Sequence, residues 1–329
     1  MAIHWITQKS IQQRRVEDLP ELLAREDGMV WVDIPTCDEH AYKILANIFH
    51  CHPLAIRDCR EYNLVPKVHS YAEHLFIILH SLELQGNNRL LRAELDQFIG
   101  TRYLVTIHTP PDEFAPLTVG LTETKAILAR IETGHWYPKN PVELSFAIVS
   151  AISRHLEGFL STLRTKVGLL EHMVISAANR NSEKELEEMF NLRHQLLTVK
   201  TMANQSKEIY ARAVTLAHRS LTAQEYLYLE DLLDQFTRIQ SMSDGEKEFL
   251  QGIIDFYQTR TTTKMNIAME RLALLTSLLL PVTAVSSIYG MNIIVNDHTD
   301  IIHLVVVLLI LLFLTIYMFR WAKKHGWWQ

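Results

Sequence analysis

A stripe of small and polar side chains runs through an apolar segment near the C-terminal end of the chain. Asn266, Ala273, Leu280 and Ser287 follow one another at intervals of seven residues. If the segment is helical, these positions lie on one side of the helix. Ser277 and Ala284 lie on nearly the same side, and Thr276 and Thr283 lie at its flank. The candidate pore-lining residues are Asn266, Ala273, Ser277, Leu280, Thr283 and Ser287. Such a stripe is typical of close helix–helix packing or of the lining of a water-filled pore, and both interpretations are open at this point.

A short polar link follows this segment and carries further candidate ligands. Asp297 and Asp300 are carboxylates that can concentrate cations. Between them lies His298, whose imidazole is a better ligand for Zn²⁺, Co²⁺ or Ni²⁺ than for Mg²⁺. The link therefore carries side chains that can attract or bind cations, although an ordinary turn between the two apolar segments is the alternative.

Two apolar runs flank the link and are predicted to cross a membrane. Leu272 to Tyr289 is eighteen residues without a charge, and Ile301 to Phe319 is nineteen, which is long enough to span the hydrocarbon core. A buried helical hairpin is the alternative, and the lengths disfavour it. Basic residues lie outside the two runs, at Arg260, Lys264, Arg271, Arg320, Lys323 and Lys324. The positive-inside rule then predicts cytoplasmic termini, and two spans per chain require several copies for any aqueous path.

The composition excludes some classes of protein. The chain of 329 residues has a formal net charge of −5, which gives no reason to expect a nucleic-acid partner. The N-terminal segment lacks the apolar region of a signal peptide. No nucleotide-binding loop, catalytic Ser/His/Asp arrangement or HExxH motif is present, so we do not expect an enzyme.

The three cysteines are expected to be reduced thiols. Cys37, Cys51 and Cys59 form an odd set, which is typical of a cytosolic domain. Cys51 lies between His50 and His52, but the absence of a CxxC pair disfavours zinc. The sequence does not indicate a role for Cys51 or Cys59.

The first 110 to 135 residues are predicted to form a mixed α/β domain. Strands are predicted at residues 29–34, 75–82 and 103–108, which are rich in β-branched and aromatic residues. A helix with Asp38 as its N-cap is predicted between the first two. Another is expected to resume near Pro116.

Long helices are predicted from Pro141 onwards. Charged residues alternate with Leu, Ile and Met at three- and four-residue spacing as far as Lys264. Interruptions are expected at residues 177–185, where Asn181 or Ser182 would cap the next helix, and at 217–225, where Thr222 and Glu225 fit a capping box. A helix from 222 to 290 would be on the order of 100 Å long, which suits a stalk that enters a membrane.

The end of the first apolar run resembles the CorA family of divalent-cation channels. The residues YGMN (289–292) match the family's signature, and the preceding stretch from Met265, with Pro281 and Thr283, resembles its pore helix. In the N-terminal domain, CHPLAIRDC and the strand regions VPKVHSYAEHLFIILHSL and RAELDQFIGTRYLVTIH are similar to family segments. The resemblance covers nearly the whole chain.

This resemblance implies a homopentameric funnel in the bacterial inner membrane. The implied segments are an α/β cytoplasmic domain (1–135), a helical stalk (136–264), a pore-lining span (265–291), an outer loop (292–300), a second span (301–320) and a basic cytoplasmic tail (321–329). Its partners would be copies of itself, membrane lipid and divalent cations. Gly290, Met291 and Asn292 would form the selectivity filter, with Asn292 carboxamides hydrogen-bonding the waters of Mg²⁺.

The resemblance also implies a gate and a regulatory site. Leu272 and Leu280 match the family's apolar constrictions, for which plain membrane packing is the alternative. Asp231, thirty-five residues before Asn266, matches an acidic stalk position at which intracellular Mg²⁺ holds the pore shut, and Asp234 is one turn away. The alternative is that both acids are simply solvated.

The transported ion is left open between two branches of the family. The intact GMN motif favours Mg²⁺, with Co²⁺ and Ni²⁺ as further substrates. His298 stands near the position of the family's usual acidic residue and favours a ZntB-like Zn²⁺ transporter. A third alternative is a membrane-anchored sensor or adaptor without transport. Proton coupling, transport direction and the open or closed state are not indicated by the sequence.

Overall fold

The computed structural model describes most of the chain in two compact units. The described residues are 1–85, 89–109, 121–176, 182–217, 221–290 and 301–324. The units are Met1–Gly252 and Ile253–Gln329. The finer segment boundaries expected from the sequence stay a prediction.

A seven-stranded mixed sheet forms the centre of the N-terminal unit. Its strands are β1 (Ala2–Ile6), β2 (Ile11–Gln13), β3 (Met29–Ile34), β4 (Lys67–Ser70), β5 (His74–Gln85), β6 (Arg89–Gly100) and β7 (Tyr103–Thr109). Their order is β2-β1-β3-β7-β6-β5-β4. Only β3 and β7 pair in parallel among the pairings described, and every other pair is antiparallel. The three strands predicted from the sequence are confirmed as β3, β5 and β7.

Short helices cover the sheet. They are α1 (Leu19–Ala24), α2 (Glu39–Asn47), α3 (Pro53–Asp58) and α4 (Thr122–Glu132). The predicted cap of α2 is confirmed, because the Asp38 side chain accepts a hydrogen bond from the Ala41 amide at 2.7 Å. Pro116 lies outside the described residues, and helical structure is described again from Thr122.

Four long helices follow. They are α5 (Pro141–Ser176), α6 (Ser182–Ala217), α7 (Ala223–Gly290) and α8 (Ile301–Lys324). The capping box before α7 is confirmed: the Glu225 amide donates to Thr222 Oγ1 at 3.3 Å, and the Thr222 amide donates to Glu225 Oε2 at 2.9 Å. Helix α6 begins at Ser182, and Asn181 lies outside the described residues, so which of the two caps the helix stays a prediction.

Apolar contacts and ion pairs join the stalk helices within the N-terminal unit. Leu232, Phe236 and Ile239 of α7 are buried at three- and four-residue spacing, as a core-facing helix requires. Each flanking ion pair has one partner on α7: Arg238–Glu157 at 2.7 Å, Arg164–Glu246 at 3.0 Å and Lys200–Asp244 at 2.5 Å. The part of α7 that belongs to the N-terminal unit is thus held to α5 and α6.

Two carboxyl groups of β6 are buried against the helices that cover the sheet. Asn63 donates hydrogen bonds to both oxygens of Glu94, through its amide to Oε2 and through Nδ2 to Oε1 at 2.9 Å. The Asp96 carboxyl is fully buried beside Glu94 and Cys59. Burial, with Glu94 nearby, raises the pKa of Asp96 well above its ordinary value, so folding favours the protonated form of this carboxyl.

Replacing Asp96 by asparagine should therefore change how stability depends on pH. The folded protein holds the Asp96 proton more tightly than the unfolded chain does, so this group's contribution is lost as pH rises above the ordinary pKa of an aspartate, by up to about 1.4 kcal/mol per pH unit. Asp96→Asn, a close match in shape, should gain stability relative to wild type as pH rises. Apparent melting temperatures from about pH 5 to pH 9 measure this difference. Parallel curves would contradict a protonated Asp96.

Candidate functional site

The stripe predicted from the sequence lies on one continuous helix. Every predicted lining or gate residue on α7 is solvent-exposed in the single chain: Asn266, Leu272, Ala273, Ser277, Leu280, Thr283 and Ser287. The two candidate gate leucines, Leu272 and Leu280, are 65% and 64% exposed. By contrast, Leu274 is buried. Within the part of the chain that the structure describes, the stripe thus has no packing partner, and its role as a pore lining stays a prediction.

The threonine hydroxyls of the span turn inward to their own helix. Thr283 Oγ1 donates to the Leu279 carbonyl at 2.6 Å, and Thr276 Oγ1 donates to the Leu272 carbonyl at 2.8 Å. With its proton used in this way, each hydroxyl oxygen keeps its lone pairs for a further hydrogen bond. These side chains therefore present acceptors, which match the water molecules around a cation.

Pro281 interrupts the backbone ladder of α7 beside the stripe. Proline has no N–H group, so the Ser277 carbonyl loses the donor that an α-helix would place four residues later. A carbonyl at this depth needs another donor, and water in a pore is one source. Ser277 can therefore offer both its side chain and its backbone oxygen.

The helix predicted as the second span, α8, is almost entirely aliphatic. The apolar part of α8 with described side chains runs from Val305 to Trp321, and among the described residues only α7 is both long and apolar enough to cross a membrane. The side chains of α8 are largely exposed, as at Phe313 (72%) and Leu309 (58%). An apolar surface this extensive needs lipid or protein to cover it.

The predicted outer mouth falls largely outside the described residues. Gly290 is the last residue of α7. Met291 and Asn292 of the filter lie beyond it, as does the outer-loop group of Asp297, His298 and Asp300. Their roles stay predictions from the sequence.

The two acids of the predicted regulatory site are both exposed on α7. Asp231 Oδ2 accepts a hydrogen bond from Gln235 Nε2 at 2.8 Å, and Asp234 lies one turn from Asp231. Within the described part of the chain, no group of three or more His, Cys, Asp or Glu residues could hold a metal ion. The binding of a regulatory Mg²⁺ at these acids stays a prediction.

The cysteines lie in and beside the apolar core. Cys51 and Cys59 are buried and Cys37 is half-buried, all as free thiols. Burial raises the pKa of Cys51 to about 12 and that of Cys37 to about 11, so these thiols are protonated and weakly reactive.

The sequence analysis missed a buried polar network at the parallel strand pair. Asp33 Oδ1 accepts from Thr106 Oγ1 at 2.5 Å and contacts His108 Nε2 at 2.8 Å. Trp31 Nε1 donates to Thr106 Oγ1 at 3.1 Å. The only available signal was alternation within two strands, which does not show that β3 and β7 are neighbours.

The fold is that of a known class of membrane transporter. A CorA magnesium transporter from Methanocaldococcus jannaschii superposes with a TM-score of 0.80 at 16% identity, covering 100% of this chain and 99% of that one. The cytoplasmic domain of ZntB from Vibrio parahaemolyticus superposes with a TM-score of 0.63 at 10% identity, covering 80% of this chain and 98% of that domain. Both likenesses establish the fold.

Sequence comparison identifies the family. The model of the CorA-like Mg²⁺ transporter proteins matches residues 26–324, and the chain belongs to this family. A putative metal ion transporter, YfjQ, from Bacillus subtilis is 24% identical over 86% of this chain and 83% of its own length. The cobalt/magnesium transport protein CorA of Thermotoga maritima is 20% identical over 75% of this chain and 68% of its own. The resemblance read from the sequence is confirmed.

Proposed function

We propose that copies of this chain assemble around α7 into a channel that carries hydrated Mg²⁺, and also Co²⁺ and Ni²⁺, into the bacterial cytoplasm. The observation that carries the proposal is the exposed stripe of α7. It combines hydrogen-bond acceptors with small side chains inside a span that is otherwise apolar. Membership of a Mg²⁺ transporter family supports the choice of ion.

The acceptor chemistry of the stripe fits a hydrated divalent cation. Mg²⁺ gives up its water reluctantly, so a lining that accepts hydrogen bonds from the first-shell waters avoids the cost of stripping them. Weak, repeated contacts at Asn266, Thr283 and Asn292 would let the ion enter and leave, whereas a ring of carboxylates would hold it too tightly. Rings of Leu272 and Leu280 between these levels would close the path by excluding water.

The assembly proposed is a homopentamer with both termini in the cytoplasm. The exposed apolar surfaces of α7 and α8 support burial by neighbouring copies and lipid. The basic residues outside both spans support the orientation. A mass near five chains in detergent is expected, and a stable monomer or dimer would contradict the pore.

Uptake by reconstituted liposomes tests the function. Vesicles that contain the full chain and a Mg²⁺-sensitive dye should take up Mg²⁺ faster than empty vesicles, and an ionophore added at the end sets the maximum signal. No uptake by assembled protein would refute the channel and favour the membrane-anchored adaptor.

Zinc transport is the second candidate, favoured by His298 in the outer loop and by the shared fold of the ZntB cytoplasmic domain. The same vesicles with a Zn²⁺ dye and a pH-sensitive dye compare the two ions. Faster uptake of Zn²⁺ than of Mg²⁺, lost in His298→Ala, would favour the zinc branch.

We further propose that Asp231, with Asp234 beside it, helps to bind the intracellular Mg²⁺ that closes the channel. Bound Mg²⁺ would bridge copies and neutralise their acids, and its loss would let them repel. Asp231→Ala should require severalfold more internal Mg²⁺ for half-closure in flux assays. Unchanged inhibition in Asp231→Ala, together with unchanged inhibition in Asp234→Ala, would place the regulatory site elsewhere.

A further inference from the structure

The cytoplasmic part of α7 carries a second apolar stripe that the fold of one chain leaves uncovered. Met242, Phe249 and Phe256 follow at seven-residue spacing and are 39%, 46% and 50% exposed. They lie along the edge of the buried side of α7, which includes Ile239, Leu250 and Ile253. An uncovered row of large apolar side chains marks an interaction surface.

Two glycines lie beside this stripe. Gly245 and Gly252 are seven residues apart and exposed. A Cβ atom added at either position would meet nothing within 4 Å. Glycine is poorly suited to the interior of a helix. Because they lack side chains, the two glycines leave a depression on the surface of α7 beside the exposed apolar row.

The surroundings indicate protein, not lipid, as the partner. Asp244, Glu246, Lys247 and Glu248 surround the glycine at 245 and precede Phe249. A hydrocarbon environment is incompatible with so many charges. The partner must therefore cover the exposed apolar side chains on a surface that is otherwise in contact with water.

A second copy of this chain can supply both the apolar side chains and the depression that receives them. Asn266 follows Gly252 by fourteen residues and Gly245 by twenty-one. Both intervals are whole heptads, so the glycines lie on the side of α7 that is proposed to face the pore axis. The phenylalanines lie about 50° around the helix from that side. When two different surface patches of identical chains bind each other head to tail, the repeated contact forms a ring if the rotation between successive copies closes.

We propose that Phe249 of one copy packs into the depression left by Gly245 and Gly252 on α7 of the next copy in the ring. Phe256 repeats the contact one heptad further along, beside Gly252. The interface rests on the proposed function, because only an axial pore requires α7 helices to be neighbours. These residues would determine how the stalk helices of neighbouring copies bind each other.

A size-exchange experiment on the full-length protein in detergent tests this interface. Phe249→Ala should create a void and Gly252→Leu a clash, and each should weaken assembly by about tenfold or more, as judged by the concentration at which half the protein has dissociated. In Phe249→Ala/Gly252→Leu the new side chain fills the new void. The double variant should therefore recover to within about threefold of wild type, a coupling that only contacting residues show.

Gly168→Leu is the matched control, because Gly168 is an exposed helical glycine of α5 with nothing within 4 Å of an added Cβ. It should assemble as wild type does, and circular dichroism should show equal helix content in all variants. Unchanged assembly in both single variants, or a double variant no better than the worse single one, would overturn the interface. Wild-type assembly without Mg²⁺ uptake would instead refute the channel and leave the interface standing.

Discussion

Asn292→Ala is expected to lower Mg²⁺ uptake by about 30-fold and to leave the assembled mass unchanged. The carboxamide is proposed to accept hydrogen bonds from the waters of an entering ion, and alanine offers no acceptor. Loss of even two such bonds, at about 1 kcal/mol each, raises the barrier to entry by about 2 kcal/mol. Initial uptake rates in dye-loaded liposomes measure the change.

Asn296→Ala provides the matched control, since it removes the same group from the same link four residues later. This variant should keep uptake within about twofold of wild type. Equal loss in both variants would point to damage to the link as a whole, and unimpaired uptake by Asn292→Ala would refute the filter.

His74→Phe should make the N-terminal unit more stable in mild acid. His74 is 5% exposed, neither ring nitrogen has a hydrogen-bond partner in the described structure, and its ring packs beside Tyr71 and Phe98. Burial, with His52 nearby, lowers the pKa of His74 to about 4. The unfolded chain therefore binds the proton more readily, and stability is lost as pH falls from about 6.5 to 4, by up to about 3 kcal/mol.

Phenylalanine keeps a ring at this position and cannot take up a proton. The expected result is an apparent melting temperature that rises relative to wild type as pH falls, with a smaller gain near neutral pH from removing unpartnered nitrogens. Intrinsic tryptophan fluorescence of the full chain in detergent reports the transition. His69→Phe, at an exposed position on β4, is the control and should follow wild type. A constant difference between His74→Phe and wild type at all pH values would contradict this account.

The long helices could be predicted from the sequence because their signals are local. The Thr222–Glu225 capping box fixes the start of α7, and the absence of any stop before Pro281 fixes its continuity. Proline at 281 did not end the helix, as is common in membrane spans. The family resemblance rested on equally local signals.

The sheet's polar interior could not be predicted in the same way. Glu94 and Asp96 alternate with Ala93, Leu95 and Gln97 along β6, and all five are buried. A two-residue period distinguishes two faces but does not show that helices cover both. The pairing of β3 with β7 brings residues about seventy positions apart into contact, and no local pattern contains that information.

The candidate site, too, could be predicted only in part from the sequence. Heptad spacing places its residues on one side of α7 if α7 is helical throughout. The structure shows that α7 is one continuous helix. The sequence did not predict that the Thr276 and Thr283 hydroxyls donate to carbonyls of their own helix, because these hydrogen bonds depend on side-chain rotamers. Ligands contributed by other copies are beyond what any single chain can show.

The inward-turned hydroxyls of Thr276 and Thr283 have a consequence for which ions are excluded. An anion needs hydrogen-bond donors, and both protons are already given to carbonyls of the same helix. The proposed conduit would therefore offer chloride no donor at these two positions, without any formal charge there. Its preference for positive ions should therefore persist in concentrated salt, where fixed charges are screened, and across a pH range that would titrate a ring of acids.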